Sequence, residues 1–230
     1  DALPGSKALV LELGRYLKLD NQETRQFLEA SLTALTPYWS VPFPRNLFFT
    51  GRKEILEALH MQLSGNKAVA LTQSAALHGL GGVGKTQVAL EYAYRYALEY
   101  SAVFWIAAET QGNIMASLQH VAEVLQLPER VENDQQRVVA ATLRWLSIHG
   151  QWLLICDNVE DLALLDHFLP ANRPGAILLT TRYQILGTFA QGLDLLPMEY
   201  EEGVLFLLHR AKLLKAEATS EQVREFATST

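Results

Sequence analysis

Eight consecutive residues, Gly79-Leu80-Gly81-Gly82-Val83-Gly84-Lys85-Thr86, fit the pattern G-x-x-x-x-G-K-[ST] without a departure. An apolar run, Ala75 to His78, stands before them and a helical pattern begins at Lys85, so a strand has to turn tightly into a helix here. The glycines allow successive backbone N–H groups to face inward around an anion, and the start of the helix adds its partial positive charge. In such a turn Lys85 reaches terminal phosphates and the Thr86 hydroxyl ligates Mg2+. The candidate phosphate contacts therefore run through Gly79, Leu80, Gly81, Gly82, Val83, Gly84, Lys85 and Thr86 to Gln87.

Around this turn, short apolar runs alternate with longer helical ones. Strands are predicted over 75–78, 102–106, 152–156 and 176–180, with a short one near 193–196. Helices are predicted over 52–63, 85–99, within 113–126 and 133–149, near 160–168 and over 201–214. Parallel strands need crossover helices and are buried on both faces, so this alternation reads as an α/β fold with a mostly parallel sheet. Ahead of it, Leu9, Leu13, Tyr16 and Leu17 recur at helical spacing, and Asp20 with Glu23 forms a capping box, giving a helical pair over 5–36. Pro37, Pro42 and Pro44 make Thr36 to Leu47 a linker. The expected organisation is a helical segment and linker over 1–41, a nucleotide-binding domain over 42–200, and over 201–230 the start of a further helical subdomain, with 221–230 as its next helix.

A Mg2+-nucleotide site needs a carboxylate at the end of a neighbouring buried strand, and Trp152-Leu153-Leu154-Ile155-Cys156-Asp157 supplies Asp157. The next position, where many hydrolytic relatives of such sites carry a second acid, is Asn158. An amide cannot take a proton from the attacking water. Glu160 or Asp161 could stand in, although both suit the start of a helix better. Slow hydrolysis is the expectation. The next strand ends Leu179-Thr180-Thr181-Arg182, which brings a guanidinium to the edge where open α/β sheets bind ligands.

Composition removes several classes of function. With 49% hydrophobic and 19% charged residues the chain can bury a core. Nineteen basic against 25 acidic residues leave a net charge of −6, which argues against a broad nucleic-acid or anionic-membrane surface. The lone cysteine, Cys156, lies in an apolar run and reads as a small buried hydrophobe in a reducing compartment. The longest uncharged stretch, Ala68 to Gly84, holds four glycines and is a poor membrane span, so a cytoplasmic protein is expected. Opening at Asp1 rather than methionine suggests a piece of something longer. The six histidines have no paired metal spacing, and Trp105, Trp145 and Trp152 read as core.

Taken in order, Phe48-Phe49-Thr50-Gly51-Arg52, GLGGVGKT, LLICDNVED and ILLTTR resemble the NB-ARC nucleotide-binding domain of the STAND class, known from plant resistance proteins, the apoptosome scaffold and many bacterial regulators. The resemblance covers roughly 42–215 and is read as one to a bacterial member. It implies a P-loop NTPase three-layer sandwich and an ADP/ATP switch, ADP-bound and closed at rest, ATP-bound and self-associated when active. It further implies that Phe49, backbone groups of Thr50 and the side chain of Arg52 contact the adenine. The family's GLPL-type segment and its winged-helix histidine would fall beyond Thr230, so the grip on ADP is expected to be incomplete. Residues 7–35 are similar to the tail of a helix-turn-helix domain. Two alternatives remain at this point: a P-loop kinase or ATPase with a small-molecule acceptor, and a DNA-binding regulator carrying an NTPase module.

Overall fold

The computed structural model describes residues 38–64, 73–183, 190–198 and 200–211. The helical pair expected over 5–36 and the helix expected over 221–230 lie outside the described residues. Six strands, β1 (Tyr38–Trp39), β2 (Gln73–His78), β3 (Ala102–Ala107), β4 (Trp152–Val159), β5 (Ala176–Thr181) and β6 (Gln191–Asp194), form one sheet in the order β1-β3-β4-β5-β2-β6. Every neighbouring pair runs parallel. The helices are α1 (Lys53–Leu63), α2 (Lys85–Tyr96), α3 (Gln111–Val124), α4 (Gln135–Ile148), α5 (Leu162–Asp166) and α6 (Tyr200–Arg210).

The period of two along each strand sorts the core into two layers. Phe104, Ile106, Leu154, Cys156, Ile177 and Leu179 face one side, where they pack with Ile114, Leu118 and Val121 of α3 and Leu146 of α4. Val103, Trp105, Leu153, Ile155 and Leu178 face the other, against Leu56, Leu59 and Leu63 of α1 and Val88, Leu90 and Tyr92 of α2. Helix, sheet and helix thus make the three expected layers. Cys156 is fully buried and its thiol is pushed up to about 12, chiefly by burial, as a core role demands.

The start of β4 is anchored by Trp152. Its indole Nε1 donates to the carbonyls of Leu146 at 2.9 Å and His149 at 2.7 Å, tying the end of α4 to the sheet. Gly175 lies against the indole face, and a methyl group there would collide with the ring.

Three expectations change. The stretch read as a linker contributes β1, which pairs with β3 through Tyr38↔Ala102 and Trp39↔Val103. Ser40 continues this contact, its Oγ accepting from the Trp105 amide at 3.2 Å. The strand expected near 193–196 occupies 191–194, because its pairing with β2 ends at His78↔Asp194, after which only the Leu195 amide still reaches β2, donating to the His78 carbonyl at 2.8 Å. The helix expected over 85–99 is α-helical to Tyr96 and tightens into a 3-10 turn over Ala97–Glu99.

Candidate nucleotide site

The C-terminal ends of β2, β4 and β5 meet at one edge of the sheet, and the glycine loop leaves β2 at that edge. Gly79 has φ +145°, and a Cβ there would lie 2.6 Å from the Leu195 carbonyl oxygen, so the loop's first position has room only for glycine. Gly84, the residue before α2, has φ +98° and supplies no side-chain cap, and the first turn of α2 carries no acid. The opening amides of α2 are therefore left for an outside acceptor. Lys85 folds back over the loop, its Nζ donating to the carbonyls of Gly79 and Leu80, both at 2.8 Å.

Asp157, near the end of β4, accepts from Thr86 Oγ1 at 2.9 Å and from Thr180 Oγ1 at 2.6 Å. Thr180 Oγ1 in turn accepts from the Asn158 amide at 2.8 Å, so the ends of β4 and β5 are cross-tied behind the carboxylate. In the sequence Thr180 stands only as part of the ILLTTR segment, with no role assigned to its hydroxyl. Asn158 is left-handed at φ +58°, and its Nδ2 donates to Glu109 Oε1, just past β3, at 3.1 Å. Asp161 caps α5, its Oδ1 accepting from the amides of Ala163 and Leu164 at 2.9 and 3.0 Å, while Glu160 is exposed. Arg182 lies over the loop, its Nη2 3.8 Å from where a Cβ of Gly81 would be. Burial lowers the Lys85 pKa, Arg182 lowers it further, and Asp157 opposes both. Two cations converge on the loop, where an anion would relieve them. Among the described residues no group of three or more His, Cys, Asp or Glu could hold a metal by itself. The Thr86 hydroxyl and the Asp157 carboxylate are the hard oxygens at hand, a donor set that suits Mg2+ completed by phosphates and water.

A cavity of about 800 Å3 adjoins the loop. Leu80, Gly81, Gly82, Val83, Gly84 and Gln87 line it together with Phe49, Thr50 and Arg52, so most of the predicted contacts share one space, while Gly79, Lys85, Thr86, Asp157 and Arg182 lie outside its lining. Arg52 is only 9% exposed and left-handed at φ +59°, and its Nη2 is buried without a hydrogen-bond partner. A guanidinium nitrogen in that state can take one further acceptor. Sequence reasoning missed Asn46, Pro197, Met198, Phe206 and Arg210, which also line this cavity. Pro197 and Met198 follow β6 and Phe206 and Arg210 sit on α6, far along the chain from the loop and without a local signal.

The sequence model of the NB-ARC domain matches residues 52–202, which is well over half of the chain. The chain belongs to the NB-ARC family. Nucleotide binding at a P-loop is what membership of this family implies. The NB-ARC chain is 32% identical over 182 residues to a nucleotide-binding leucine-rich repeat (NLR)-like protein of Hyaloscypha variabilis, an alignment that takes in 70% of this chain and 18% of that protein. It thus spans under a fifth of that relative's length. Among solved structures, Cdc6p from Pyrobaculum aerophilum shares the fold with a TM-score of 0.57 at 16% identity, over 83% of this chain and 56% of that one. A Signal Transduction ATPase with Numerous Domains protein with a tetratricopeptide repeat sensor, from Pyrococcus horikoshii, gives a TM-score of 0.42 at 18% identity, over 80% and 28% of the two chains. No helix among the described residues is long and apolar enough to cross a membrane.

Proposed function

We propose that this NB-ARC domain is an adenine-nucleotide switch in a cytoplasmic signalling protein, binding ADP or ATP with Mg2+ and self-associating, as part of the full-length chain, in the ATP state. The observation that carries the reading is one cavity lined both by the loop at the uncapped start of α2 and by Arg52, whose Nη2 is buried without a hydrogen-bond partner. Lys85 and Arg182 stand beside that loop, outside the cavity's lining, where they would meet phosphates. Lys85 would exchange its loop carbonyls for phosphate oxygens, and Thr86 and Asp157 would hold Mg2+. The metal would neutralise phosphate charge when bound. Hydrolysis would be slow, because Asn158 is an amide already engaged with Glu109. Turnover of the purified chain should stay below about one per second, the lower range of ordinary enzymes.

Nucleotide released by heat from the purified protein should chromatograph as ADP. Adding Mg2+ should tighten ATP binding, and Asp157→Asn should remove most of that tightening while leaving metal-free binding in place. A variant that kept the full Mg2+ response would take Asp157 out of the metal site.

The Lys85 pKa adds a proton linkage. In the empty protein the lysine is held below its ordinary 10.5, so the cost of keeping it charged is fully present below the lowered pKa and fades as pH rises toward 10.5. A bound polyphosphate favours the charged form and pushes the pKa back up. As pH rises into the Lys85 titration, ADP binding should therefore take up protons and its affinity should fall. Calorimetry in two buffers of different ionisation enthalpy, repeated across the alkaline range up to 10.5, measures the uptake; equal heats throughout would mean that Lys85 does not meet the phosphates.

A further inference from the structure

The second and third turns of α2 carry a group that the phosphate chemistry does not use. Glu91 is only 3% exposed, a charge that burial penalises unless it is partnered. It accepts a bidentate pair from Arg45, Nε to Oε2 at 2.9 Å and Nη2 to Oε1 at 2.8 Å, and a further contact from Arg95 Nη2 at 3.0 Å. One turn earlier on the same face of α2, Gln87 Oε1 accepts from Asn46 Nδ2 at 3.0 Å. Tyr94 Oη donates to the Phe43 carbonyl at 2.9 Å, and the Phe43 ring stands edge-on to Trp105 at 5.7 Å. Beyond the pinned residues the chain turns at once: Asn46 Oδ1 accepts from the Phe48 amide at 3.0 Å and its carbonyl from Phe49 at 3.1 Å. Phe49, Thr50 and Arg52 follow, and they line the same cavity as the loop residues Leu80 to Gly84.

We propose that the Arg45–Glu91 ion pair is a selectivity pin: it fixes the segment 43–52 on the helix that begins at the phosphate loop, and so sets the spacing between the base-side wall and the phosphates. The inference rests on the nucleotide reading above. Glu91 and Arg45 are positioning residues, since neither lines the cavity. Because both ends of the site hang from α2, the helix acts as a ruler, and loosening the pin should harm recognition of the nucleoside while sparing that of the phosphates.

Calorimetry on the full chain with Mg2+ and either ADP or inorganic tripolyphosphate tests this. Glu91→Gln should weaken ADP by about tenfold, equivalent to roughly 1.4 kcal/mol, and leave tripolyphosphate unchanged. Arg45→Gln should give the same split while leaving Glu91 its Arg95 partner, which keeps the test usable if the glutamine variant at 91 does not fold. Arg95→Gln, which spares the pin, should leave both affinities in place. The proposal is overturned if ADP and tripolyphosphate weaken together, if neither weakens, or if Arg95→Gln matches Arg45→Gln. Failure of the unsubstituted protein to bind either ligand would instead remove the nucleotide reading beneath it.

Discussion

Lys85→Ala should weaken binding of Mg2+-ADP by about a hundredfold or more, since charge-assisted hydrogen bonds to phosphate are worth about 1.5–3 kcal/mol each and at least two are at stake. The fold itself should barely notice. In this structure the ammonium satisfies two loop carbonyls, those of Gly79 and Leu80, but it does so as a desolvated charge beside Arg182. Removing it deletes two hydrogen bonds and a like-charge repulsion together, and these offset one another. Titration calorimetry and a thermal melt on the same sample separate the two quantities. Undiminished ADP affinity in the alanine variant would overthrow the loop as the phosphate site, and with it the function proposed above.

The second large effect lies at the other end of β4. Trp152→Ala should cost about 3–5 kcal/mol of stability, the usual range for truncating a buried tryptophan. In a chain of this size that lowers the melting temperature by roughly 6–20 °C. The indole is fully buried, lies against Gly175, and holds the carbonyls of Leu146 and His149, so truncation opens a void and strips both acceptors of their donor. Trp152→Phe refills most of the void and restores no donor. It should cost about 1–3 kcal/mol, the penalty for an unmet buried polar group. An alanine variant melting with the parent would mean that the α4–β4 junction is not a structural anchor. Since Trp152 opens β4 and Asp157 lies near its far end, ADP affinity of the folded fraction should be unaltered.

What could be read from the chain followed from burial and range. Strands β3, β4 and β5 were legible because a strand covered on both faces reads as an unbroken apolar run, and Trp152 to Cys156 is such a run. The loop was legible because its chemistry is local, compressed into adjacent residues. β1 was not, since two residues cannot display a period and three prolines around it signalled a linker. β6 was misplaced by two residues because Gln191-Gly192-Leu193-Asp194 has the polarity of a turn and owes its extended form to β2. Asn158 stood out as an amide in an acid's place, yet its tie to Glu109 spans 49 positions and left no trace in either neighbourhood. The cavity's lining was half visible: Phe49, Thr50 and Arg52 came through resemblance, while Phe206 and Arg210 needed the folded chain to bring α6 alongside.

The two ends of the sheet carry a consequence for how copies of this chain can meet. Among the described residues the outermost strands are stubs, two residues at β1 and four at β6, flanking inner strands of six to eight. Long open borders invite a stranger's backbone to zip alongside and grow a ribbon, and stubs offer too few free amides and carbonyls for that. Clustering through these flanks is thereby discouraged. When many such domains are crowded together, orderly contact falls to side chains on helices and loops, surfaces that a spreading ribbon would ignore.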